Sequence, residues 1–257
     1  MMALMAKSSA GGSSWFREPW NVGMAVVAVA ALVFASYASV VSLTRSSSSD
    51  TVSYTAPSEV AAPQVDQTRR IVFIGDSYTV GDGAPTDKGY AYLTAEQLGM
   101  RPQVNAESSS GYLTAGRNGS TQQNLIDRAT VSDPAPEIVI LASGYNDRLG
   151  VPPNPDLFRA AVQTAFDTTK AKWPASTIVA LGPWTPTGSA SQNQQVVGAV
   201  LGEESATRGF VYIDTLKPPL INGRMIGQDN INPSPEGHQE IASGLAERLR
   251  AQIPDIA

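Results

Sequence analysis

Arg70-Ile71-Val72-Phe73-Ile74-Gly75-Asp76-Ser77 is the stretch on which the fold turns. Four consecutive apolar residues, three of them β-branched, stop dead at a glycine. A run this short and this uniformly apolar fits a strand buried on both faces, whereas a strand with one wet face would alternate. Glu137-Ile138-Val139-Ile140-Leu141, Thr177-Ile178-Val179-Ala180-Leu181 and Phe210-Val211-Tyr212-Ile213 have the same character, and Gln103-Val104-Asn105-Ala106 is a weaker fifth strand. Between them Phe158, Val162, Ala165, Phe166, Thr169 and Trp173 recur at helical spacing. A polar-start helix follows Ser191–Gln195 through Val196, Val197, Val200 and Leu201. The last helix shows Ile241, Leu245 and Leu249 on one face, with Ser234 as N-cap and Pro235 in its first position. Doubly buried strands separated by helices predict a three-layer α/β/α sandwich with a mainly parallel, five-stranded sheet.

Composition narrows the chemistry. The 257 residues carry a formal net charge of −5, which disfavours nucleic acid as a partner because phosphate binding needs a basic face. There is no cysteine, hence no disulfide, thiolate metal site or cysteine nucleophile, and a single histidine, His238, rules out a histidine-rich metal site. No cofactor or metal is expected.

The N-terminal quarter has a different composition. No charge interrupts Asn21 to Thr44, and a helix of that length rises about 30 Å, enough to span the hydrocarbon core of a bilayer. Trp15, Phe16 and Trp20 precede it, where amphipathic rings favour the headgroup layer. Lys7 and Arg17 lie before the run, which orients the C-terminal part outside. The organisation predicted is therefore a cytoplasmic segment over 1–20, one transmembrane signal anchor over 21–44, a Ser/Thr/Pro-rich flexible tether over 45–68, and a folded domain over 69–257. The alternative is a cleaved signal peptide with Ser36-Tyr37-Ala38 at the cleavage site, which makes the domain secreted. Either way the domain lies outside the cytoplasm.

In parallel sheets, working residues gather at the carboxyl ends of the strands. Gly75-Asp76-Ser77 follows the first strand, so Ser77 can present its hydroxyl on a sharp strand-to-helix turn. Gly111 follows the second, and Gly144-Tyr145-Asn146-Asp147 the third. Alone, the first triplet reads equally as a capped turn; the ordered set is far more specific. Near the C-terminus comes Asp229-Asn230-Ile231-Asn232-Pro233.

Gly-Asp-Ser, a loop glycine, Gly-x-Asn-Asp and a late Asp block, in this order, resemble the SGNH/GDSL hydrolases over about Arg69 to the last helix. The resemblance implies a flavodoxin-like sheet, with Ser77 as nucleophile. The backbone N–H groups of Ser77 and Gly111 and the side-chain amide of Asn146 would form an oxyanion hole. Gly116, Gly119, Ser110 and Tyr112 are the alternatives to Gly111. Asp76 and Asp147 are expected to brace loops. Asp229 matches the family's acid, but the family's histidine position holds Asn232, and an amide has no lone pair basic enough to take the serine proton. His238, six residues on, is either a substitute base or a packed helix-terminal residue. Asp229 itself is a further candidate base if burial raises its pKa. Trp184, Tyr78, Tyr112 and Tyr145 either line a cleft or pack beneath it.

Two functions are consistent with these residues. The first is a membrane-anchored hydrolase, or O-acyltransferase, of carboxylic esters on envelope glycan or lipid, working through a Ser77 acyl-enzyme. The second is an inactive relative that keeps the cleft for glycan binding or scaffolding.

Overall fold

A computed structural model describes residues 66–150 and 154–256. The anchor and almost all of the tether expected from the sequence lie outside the described residues. Among the described residues no helix is long and apolar enough to cross a membrane.

Five parallel strands form the sheet: β1 (Asp66–Gly75), β2 (Met100–Ala106), β3 (Ile138–Ala142), β4 (Thr177–Leu181) and β5 (Val211–Ile213), in the order β2-β1-β3-β4-β5. The helices are α1 (Ser77–Val80), α2 (Tyr90–Gln97), α3 (Gln122–Arg128), α4 (Pro155–Lys172), α5 (Gln192–Arg208) and α6 (Pro235–Gln252). Strand residues alternate between two cores, as their period of two requires. Ile71, Phe73, Ile138, Ile140, Val179 and Leu181 pack on Tyr90, Ala91, Ala95 of α2 and Ile241, Leu245, Leu249 of α6. Val72, Ile74, Val139, Leu141, Ile178 and Ala180 pack on Leu125, Ile126 of α3, Phe158, Val162, Phe166 of α4 and Val197, Leu201 of α5. The three layers are those the doubly apolar strands predict.

The helix signals hold at residue level. Ser191 Oγ accepts from Gln194 N while the Gln194 side chain returns a bond to Ser191 N. Ser234 Oγ likewise caps α6 through Gly237 N, ahead of Pro235. Two boundaries differ from expectation. β1 starts at Asp66, three residues before the predicted domain edge, because Asp66 N donates to Gly99 O and a bulge then restores register at Arg70. β2 starts at Met100 rather than Gln103. The short helices α1 to α3 have too few turns to give a readable periodicity.

The strand order reverses direction at β1/β3, where Gly75 faces Ala142. That boundary is the switch point at which ligands bind in open α/β sheets, outside the carboxyl ends of the strands. Gly75 is there for space. A Cβ on it would fall 2.4 Å from Ala142 O and 2.3 Å from Thr79 Oγ1. Gly75→Ala should therefore cost about 1–3 kcal/mol or more, as overpacking does. Gly223→Ala, where nothing lies within 4 Å of the new atom, should stay within about 0.5 kcal/mol. Urea unfolding of the two variants checks this; equal midpoints would refute it.

Candidate active site

The turn after β1 is built by Asp76. Its N–H donates to Ala142 O (3.3 Å), and its carboxylate accepts from Tyr78 N (3.1 Å), which caps α1. Ser77, partly exposed, is the first residue of α1, and the first N–H groups of a helix have no intrahelical acceptor. Its amide is thus placed to donate to a ligand. Asp76 is fully buried, and burial pushes its carboxyl up to about 8, against the bond from Tyr78 N and helped by the nearby Asp147. At neutral pH it is mainly the neutral acid, a loop brace as expected.

The second and third blocks form one unit. Asn146 Nδ2 donates to Ser110 O (2.8 Å), and Ser110 Oγ lies 3.4 Å from Gly75 O, which ties Asn146 to the end of β1. An amide nitrogen has two protons, so the second is left for a substrate oxygen. Gly111 does not fit the role expected of it. Its N–H donates to Thr114 O (2.8 Å), Tyr112 N donates to Asp147 and Ser110 N to Glu107 O. Ser77 N and the second proton of Asn146 Nδ2 have no acceptor among the described residues.

The fourth block is tied to the first by Tyr78, whose hydroxyl donates to Ile231 O (2.5 Å). Asp229 accepts from Ile231 N (2.9 Å), Asn232 N (2.8 Å) and Asn232 Nδ2 (2.7 Å). The bond from Ile231 N, with those from Asn232, holds its carboxyl below the usual range. Asp229 is exposed and ionised, which corrects its candidacy as a desolvated base. Because a carboxylate only accepts, the Asn232 amide must turn its nitrogen to Asp229. The opposite atom, Asn232 Oδ1, is shielded from solvent and has no donor among the described residues.

His238 is a correction too. It is fully buried, its Nδ1 accepts from Tyr90 N (3.1 Å) and its Nε2 donates to Asp82 O (3.1 Å). Both ring nitrogens are occupied by backbone, so the imidazole has no free lone pair for Ser77. Its ring stacks on Tyr90. The aromatics also pack more than they line. Tyr78 of α1 stacks on Trp184 at 5.3 Å and both are buried, as is Tyr112, while Tyr145 is half-buried under Arg148. A surface hollow of about 250 Å³ beside α5, lined by Gln195, Gly198, Tyr212 and Leu216, includes none of the site residues. Chemistry, rather than cavity size, marks the site.

The sequence matches the GDSL-like lipase/acylhydrolase family over residues 73–240. The chain belongs to that family. A curated relative, the GDSL lipase Rv0518 of Mycobacterium tuberculosis, is 27% identical over 192 residues, covering 71% of this chain and 82% of the relative. A family two carbohydrate esterase from Cellvibrio japonicus superposes with a TM-score of 0.59 at 21% identity, over 75% of this chain and 63% of that one. A carbohydrate esterase family 2 enzyme from Corynascus thermopiles, with its carbohydrate binding domain, gives 0.61 at 22%, over 78% and 68%. These structures share the fold. The matched stretch spans the sequence from Gly75-Asp76-Ser77 through Asp229-Asn230-Ile231-Asn232.

His238 generates a pH prediction. Burial lowers its pKa below the ordinary 6.5, so between the two values the unfolded chain binds a proton that the folded one refuses. Its contribution is complete above pH 6.5 and declines as pH falls below it. Asp76, with a raised pKa, acts in the opposite sense. The change in urea midpoint between pH 7.5 and 5.5, native chain against His238→Gln, isolates His238 from Asp76: removing the imidazole should shift that change in favour of the folded state at pH 5.5. The same midpoint change in both chains would contradict the buried neutral imidazole.

Proposed function

We propose that this domain is a carboxylic ester hydrolase of the GDSL type, with Ser77 the nucleophile and O-acyl groups on envelope glycan or lipid the substrates. One observation carries the reading: Ser77 opens α1 at the switch point, and the Asn146 amide is fixed by Ser110 O with a proton to spare. A carbonyl oxygen received by Ser77 N–H and Asn146 would develop its negative charge against two fixed donors, each worth roughly 3 kcal/mol. Ser77 Oγ attacks the carbonyl carbon, the alcohol leaves, and water releases the acid from the Ser77 ester. The apolar run over 21–44 and the leader before it support a domain held outside the cytoplasm on a single-pass anchor.

The proton of Ser77 is the weak point of this chemistry. Asn232 Oδ1 accepts a hydroxyl's hydrogen bond but cannot take its proton, and loss of the histidine from a serine triad costs on the order of a million-fold in turnover. Oxyanion donors and binding alone still leave about a thousand-fold or more over water. The hydrolase proposed is therefore slow unless substrate or solvent supplies the base. The occupied nitrogens of His238 favour a second reading, an inactive GDSL domain that binds acylated glycan or a partner at the cell surface.

Turnover of a short-chain aryl ester by the full chain separates the two. The hydrolase reading expects weak turnover that Ser77→Ala abolishes and that Asn232→His raises by about a hundred-fold or more. Native and Ser77→Ala chains equally inert would leave the binding reading.

A further inference from the structure

Asp147 has no part in the chemistry above, yet it is among the most tightly engaged groups in the molecule. Its carboxylate is buried and accepts from three successive backbone N–H groups, Tyr112 (2.8 Å), Leu113 (2.9 Å) and Thr114 (3.0 Å). Successive N–H groups curled around an anion form a nest. The Thr114 hydroxyl lies 3.0 Å from the same carboxylate and 3.1 Å from Asn146 O. Gly111 sits against this group: a Cβ there would fall 2.5 Å from both carboxylate oxygens. Its N–H meanwhile closes the loop on Thr114 O.

We infer that Asp147 is a positioning residue: its carboxylate fills the 112–114 nest and so fixes the neighbouring Asn146 amide against Ser110 O, and Gly111 is required to admit that carboxylate rather than to donate to substrate. The catalytic consequence rests on the esterase reading; the geometry does not. Asn146 stands at the start of a single 3₁₀ turn, Asn146–Leu149, with no side-chain cap of its own. Without the nest, only the Ser110 bond and the local turn would orient its amide. A carboxamide at 147 offers one acceptor where three N–H groups point, and sets its own NH₂ against the others. Burial raises the pKa of Asp147, and the hydrogen bonds from Tyr112, Leu113 and Thr114 oppose that rise.

The test uses the full chain in detergent micelles, with ¹⁵N spectra of the side-chain amides and ester turnover measured together. In Asp147→Asn and in Gly111→Ala, the Asn146 amide resonances should shift or broaden while Tyr90 and His238, on the other core, keep theirs. Thr114→Val, which removes one donor and leaves the fold's apolar contacts alone, should give a smaller change of the same kind. Turnover should show kcat reduced about 10- to 100-fold at nearly constant KM, the pattern of a displaced transition-state donor. Asn146→Ala and Asp147→Asn should be strongly non-additive, because the second acts through the first. An Asn146 amide that is unmoved in all three variants would overturn the inference, as would additive kcat losses. If the native chain shows no turnover, the esterase reading fails by itself and the spectra alone decide the role of Asp147.

Discussion

The ends of β1 and β3 are pressed together so closely that no side-chain atom fits at Gly75, and the rest of the site depends on that contact. Glycine there lets the chain leave β1 against Ala142 O, and Asp76 then bonds the same carbonyl before capping α1. Ser77 is consequently the first residue of a helix at the one place where neighbouring connections diverge to opposite faces of the sheet. Gly75 O also receives Glu107 N and lies beside Ser110 Oγ, so the loop after β2 is gathered to the same point. Three connections meet at one peptide.

Buried carboxyls hold this assembly in place, and they do so differently. Asp76 is desolvated with few donors, so it is mainly neutral near pH 7 and destabilises the fold as pH rises. Asp147 is desolvated but wrapped by backbone N–H groups. Glu107, also buried, accepts from Asn118 N (2.7 Å) and Ser120 N (3.1 Å) and fixes the loop leading to α3. Asp229 is the contrast, exposed and ionised, spending both oxygens on its own loop and on Asn232. The geometry of an acid orienting its partner is kept, while the partner is an amide.

The layers were legible in the sequence because the signals for them are local. Doubly apolar runs such as Ile71–Ile74 and Ile138–Leu141 define buried parallel strands, and Ser234 carries its capping chemistry in adjacent residues. Ser77 and Asn146 were legible as family blocks at strand ends. What the sequence did not disclose depends on contacts between distant segments. That Gly111 N–H is taken by Thr114 O, that Asp147 fills the nest, and that Tyr90 N and Asp82 O clasp His238 all follow from how loops fold onto one another. A glycine signals a need for space or for an unusual backbone, but not which of the two. A histidine near a catalytic block signals nothing until its two nitrogens are traced.

Ser77 and Asn146 are proposed to form a working nucleophile and oxyanion donor without an imidazole. Reaction of the full chain with an alkyl fluorophosphonate, followed by peptide mapping, tests it most directly, because the adduct has the tetrahedral geometry the oxyanion donors would serve. One slow, stoichiometric adduct on Ser77 is expected, forming more slowly still in Asn146→Ala. No adduct, or label spread over several surface hydroxyls at rates indifferent to Asn146, would contradict it.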